Sequence, residues 1–205
     1  MIFGGSMDYN DIIIRLKQYY DEYAHGIKAN ANSIIESLCK DISALDQDDK
    51  DELLKKVLTD ICDTEILSFL ASRGNGNIPY SLQKMLTNWL IPRCENLQMP
   101  ELRWFYQINK NNVPQMENAY RYLTNAFDSV YADEITYRLV FKKNLDALEF
   151  GMHELPIGLL ISDDEYKSMV NQCDYIITKA KITQEEIVLL NTLKKQYNDY
   201  MQNIF

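Results

Sequence analysis

Glycine and proline are scarce in this chain of 205 residues, at 7 and 5, and so few turn-formers leave little scope for a fold of many short strands. Histidine is scarcer still, represented only by His25 and His153. Cys39, Cys62, Cys94 and Cys173 stand singly, without a C-x-x-C pair. Neither a zinc site nor a disulfide framework has its usual spacing, and four reduced, mostly buried thiols are expected. No apolar run approaches the roughly 20 residues that span a bilayer. Positive charge is also in deficit, with 21 Lys+Arg against 30 Asp+Glu and a formal net charge of -9. Such a surface repels phosphate backbones and anionic lipid, so neither a nucleic acid nor a membrane is expected as partner. A basic protein is the easier electrostatic match.

Catalytic motifs are missing as well. There is no G-x-S-x-G elbow, and the stretch Arg73-Gly-Asn-Gly-Asn77 lacks the Lys-Ser/Thr ending of a phosphate loop and reads as a turn. The acidic run from Asp46 to Glu52 has Asp51 and Val57 where a calcium loop needs Gly and Glu, so it reads as a helix cap with acidic residues on the first turn. The opening Met1-Ile-Phe-Gly-Gly-Ser has neither a basic start nor an apolar core, which points to the cytoplasm. Residues 1–7 are expected to be a disordered start; if the Gly4-Gly5 codons are a translated ribosome-binding region, Met7 is the working initiator. The Ile, Asn, Lys and Tyr bias fits the AT-rich codons of a low-GC bacterium.

What the chain does have is apolar residues at helical spacing. Ile12, Leu16, Tyr19, Tyr20 and Tyr23 form an i, i+4, i+7, i+8 stripe over 8–23, and Ile34, Ile35, Leu38 and Ile42 continue it more weakly over 27–45. A long helix is expected over 48–72, with Leu67 and Leu70 in its stripe and Gly74 as its stop. Pro79 and Pro100 open two more, the first closed or kinked by Pro92, and Pro114 opens another that runs to about Tyr131. Glu134 to Phe150 carries apolar residues on more than one face and should lie centrally. Around Glu149–Glu165, Gly151, Pro156 and Gly158 interrupt the pattern, with Gly158 suited to positive φ. Ser162/Glu165 and Thr183/Glu186 then spell capping boxes for two last helices, whose stripes are Tyr166, Met169, Val170, Cys173, Ile177 and Ile187, Leu190, Leu193, Tyr197, Met201, Ile204. The fold class expected is all-α, with eight or nine helices stacked as antiparallel hairpins in a short solenoid or irregular bundle. Residues 8–205 are expected to form a single domain, with a possible subdivision near 74–79.

Leu102 to Glu134 resembles a degenerate tetratricopeptide unit, with Trp104 in its first helix and Ala119, Leu123 and Ala126 at the second helix's A-x-x-x-F-x-x-A spacing, Leu standing for the aromatic. Ile108 replaces the helix-packing Gly, and Tyr131 the terminating Pro. The Gly151-x-His153-x-x-Pro156-x-Gly158 segment resembles one found in uncharacterised bacterial helical proteins. These likenesses imply a stack of helix pairs of the kind that binds proteins or peptides.

Candidate contact residues are those where cations and aromatics interleave: Arg103, Tyr120, Arg121 and Tyr137, with Arg103, Tyr120 and Arg121 expected at the surface. Glu149 and His153, four apart, form the other candidate. As metal ligands or catalytic groups they would make the turn around His153 the site of a small-molecule or metal-dependent enzyme. The plainer reading has His153 hydrogen-bonding the turn backbone and helping to cap the preceding helix. The function expected from the whole is non-enzymatic binding of a protein or peptide, with no cofactor and no metal, an acidic immunity-type neutraliser being the concrete version.

Overall fold

The computed structural model describes residues 7–64 and 78–204, the last two of these by backbone alone. Among the described residues there are nine α-helices, one 3₁₀ turn and no strand. The helices are α1 (Tyr9–Ala24), α2 (Lys28–Ser43), α3 (Gln47–Cys62), α4 (Tyr80–Glu95), α5 (Glu101–Asn109), α6 (Met116–Asp128), α7 (Glu134–Gly151), α8 (Asp163–Ile177) and α9 (Gln184–Ile204). The chain is therefore all-α, as the periodicity predicts. None of the described helices is long and apolar enough to cross a membrane.

Most starts follow the sequence signals. Asp46 caps α3, its carboxylate accepting the Asp49 amide at 2.9 Å, and the Ser162/Glu165 and Thr183/Glu186 boxes both form. Asp8 and Asp11 form a further box at α1, with Asp in place of the usual Glu. Several stops differ from expectation. The helix over 48–72 ends at Cys62, where the Asp63 carboxylate is drawn off to α5; Leu67, Leu70, Gly74 and the Arg73–Asn77 turn lie outside the described residues. Pro92 closes nothing, for α4 runs on to Glu95. Pro114 sits in the 3₁₀ turn Val113–Gln115, and α6 ends at Asp128, short of Tyr131. Gly158 does not use positive φ, which among the described glycines only Gly26 does, at +80°, between α1 and α2.

By contact the chain divides into two compact units, 1–122 and 123–205, the division falling within α6. The subdivision expected near 74–79 falls largely outside the described residues. In the first unit α1 packs on α2 and α4 on α5, while α3 touches α1, α4 and α5. Its core is the apolar stripe of each helix, including Ile12, Leu16, Ile35, Leu38, Ile42, Leu54, Leu58, Leu86 and Leu90. Each such side chain contributes about 1.5–3 kcal/mol on burial. Polar bonds fix the register of α4 on α5: buried Asn109 accepts from Thr87 Oγ1 at 3.0 Å, and Gln83 Nε2 donates to the Ile108 carbonyl at 2.5 Å. In the second unit α7 packs on α8 and α9. Phe141, Leu145 and Leu148 are buried there, Asn144 donates to Gln172 at 2.9 Å, and Tyr166 stacks on Tyr197 at 3.6 Å between ring centres. The α8 stripe is buried at Tyr166 and Cys173 as expected, and differs at its end, where Ile176 is buried and Ile177 half-buried.

Candidate functional site

The six residues singled out by sequence fall in both units, Arg103, Tyr120 and Arg121 in the first and Tyr137, Glu149 and His153 in the second. Arg103 is a correction: it is only 4% exposed. Its guanidinium reaches the Asp63 carboxylate with both terminal nitrogens, Nη2 at 3.0 Å, and the Trp104 indole N–H donates to the same carboxylate at 3.0 Å. The Arg-Trp pair is thus an internal clamp between α5 and the end of α3. Tyr120 and Arg121 are exposed on α6. Tyr120 lies edge-on to Tyr106 at 5.6 Å, and Arg121 donates to Asn118 at 3.0 Å and covers the Tyr122 ring at 5.0 Å.

Glu149 and His153 are both exposed where α7 gives way to the turn. The His153 backbone N–H donates to the Phe150 carbonyl at 3.1 Å. Within the turn the Met152 N–H donates to Leu148, Leu155 to Met152 and Ile157 to Glu154. Among the described residues no three His, Cys, Asp or Glu gather as a metal-holding group. Gly151 is there for space: a Cβ on it would stand 2.6 Å from Ile161 Cδ1.

Tyr137 belongs to a larger feature of the second unit. Its ring meets Phe127 at 5.8 Å and Tyr175 at 6.3 Å, Phe127 meets Tyr175 at 6.2 Å, and Lys179 lies 5.5 Å from the Tyr175 ring centre. Partial desolvation and the neighbouring Tyr175 phenol hold the Tyr137 hydroxyl above its ordinary pKa. The end of α6, the start of α7 and the end of α8 therefore converge on one aromatic cluster. The α6–α7 connection that follows Phe127 leaves Val130 91% and Tyr131 76% exposed. Aromatic side chains offering a large rigid face with a polar rim are the usual anchors of protein recognition.

The first unit holds a second feature, which the sequence did not reveal. An open cleft of about 480 Å³ lies between α4 and the corner where α2 passes into α3. Trp89 and Arg93 of its wall are held from α3 by Asp51, which accepts the indole N–H and Arg93 Nη2, both at 2.7 Å. The Arg93 guanidinium lies 3.7 Å from the Trp89 ring centre and also donates to the Trp89 carbonyl at 2.9 Å. The i, i+4 spacing of Trp89 and Arg93 was the one signal available in sequence; Asp51, 42 positions before Arg93, gave none. No protein-family model, curated protein or solved structure matches the chain. Geometry and charge alone therefore carry the functional assignment.

Proposed function

We propose that the protein works by binding another protein, without chemistry of its own, through the aromatic end of its second unit. The observation that carries this reading is the Phe127–Tyr137–Tyr175 cluster, together with exposed Val130 and Tyr131 in the connection between two of its helices. Uncovered apolar side chains grouped in this way cost solubility and are kept where a partner covers them. The net charge of -9 supports a basic partner, because a negative field speeds its approach. In its concrete form the protein is a bacterial, cytoplasmic neutraliser of immunity type. The tetratricopeptide-like reading of residues 102–134 agrees with this function, and its small or aromatic positions Trp104, Ala119, Leu123 and Ala126 are all buried.

Affinity capture from the native host with the wild-type chain and with a Tyr131→Glu/Tyr175→Glu variant provides the test, followed by mass spectrometry. A basic protein retained by the wild type and lost from the variant is the expected result. Identical captured sets, with the variant still folded by circular dichroism, would overturn the proposal.

A further inference from the structure

The cleft of the first unit has a charge opposite to that of the chain around it. Lys50, Lys84 and Arg93 line it and, among the described residues, no Asp or Glu does, in a protein of net charge -9. Arg93 is held by Asp51 at 2.7 Å, but among the described residues Lys50 and Lys84 have no carboxylate within ion-pairing distance. Lys50 is half-buried and Lys84 exposed. Met85 and Pro92 add apolar surface, and Ser81 and Asn88 add hydrogen-bonding groups suited to a peptide backbone. The volume lies in the range of about 300–1,000 Å³ usual for clefts that hold a ligand.

We propose that this cleft receives a short acidic segment of a partner polypeptide. Its carboxylates reach Lys50 and Lys84, and its apolar side chains lie on Met85 and Pro92. Continuous polyanions fit less well. The turn of α3 that supplies Lys50 also bears the exposed Asp46, Asp48 and Asp49, which repel a phosphate chain running on beyond the cleft but not a segment whose charge ends within it. This surface is separate from the aromatic end of the second unit, and either assignment stands if the other fails.

Titration of the ¹⁵N-labelled full chain with acetyl-(Glu-Leu)₃-amide tests the proposal, because the two indole N–H resonances separate the sites. Trp89 forms the cleft wall, whereas Trp104 is buried on Asp63. The expected result is a saturable shift of the Trp89 resonance with Trp104 unmoved. Affinity should fall about tenfold or more in Lys50→Ala/Lys84→Ala and be kept in Lys50→Arg/Lys84→Arg. Equal binding of acetyl-(Gln-Leu)₃-amide, undiminished binding by the alanine variant, or no Trp89 shift at millimolar peptide overturns it. Tighter binding of hexathymidylate overturns it in favour of a nucleic-acid site.

Discussion

Exchanging Asp63 for Ala takes from the buried Arg103 guanidinium a two-point acceptor and from the Trp104 indole its own. Breaking an ion pair in so dry a place costs about 3–5 kcal/mol. Asp63→Ala is therefore expected to lower the urea midpoint sharply. Asp63→Asn, which keeps one acceptor oxygen, should cost less, and Asp63→Leu/Arg103→Met should recover much of the loss, because it removes the buried charges altogether. The same pair shows why Arg103 could not be placed from sequence. An arginine beside Trp104, Phe105 and Tyr106 has the composition of a recognition surface. What turns it inward is a carboxylate 40 positions earlier, on another helix. Tyr137 was legible as an aromatic beside a cation, but Phe127 and Tyr175, which make it part of a cluster, come from two other helices.

Helix starts were the most legible elements, because a cap is a short-range bond between residues three apart. Stops were less so. Pro92 was expected to end or kink α4, yet it sits in the last turn, where Asn88, whose carbonyl loses its amide partner, is exposed. A proline there costs one hydrogen bond that water replaces. The end of α7 is set by crowding. A methyl on Gly151 would press on Ile161 Cδ1 and Cγ1 at 2.6 and 2.7 Å, and a β-branched side chain has few rotamers with which to yield. Gly151→Ala is expected to destabilise the protein by about 1–3 kcal/mol despite the better helix propensity of Ala. In an Ile161→Ala background the same exchange should become neutral or stabilising. Thermal denaturation of the four proteins of this cycle measures the coupling.

Across the whole molecule, fold class followed from apolar periodicity, which repeats along the chain and needs no knowledge of which helix meets which. The cleft was illegible for the opposite reason: its lining comes from three helices, and its charge opposes the average that composition reports. Cys94 in the first unit and Cys173 in the second are buried. Burial, reinforced by Glu101, pushes Cys94 from 9.0 up to about 12, and burial with Asp174 beside it pushes Cys173 up to about 11. Both folded-state values are raised, so below pH 9.0 the thiols are protonated in the folded and unfolded chains alike. Above it the unfolded chain releases protons that the folded one retains, and stability falls with rising pH by about 1.4 kcal/mol per pH unit for each thiol. Urea midpoints at pH 8 and pH 10 should show this decline, and Cys94→Ala or Cys173→Ala should shallow it. The two tryptophans, Trp89 and Trp104, both lie in residues 1–122 and none lies in 123–205. Intrinsic fluorescence consequently watches the melting of one unit, while circular dichroism sums the helices of both, so the protein carries its own optical label for whether it unfolds in one cooperative step or in two.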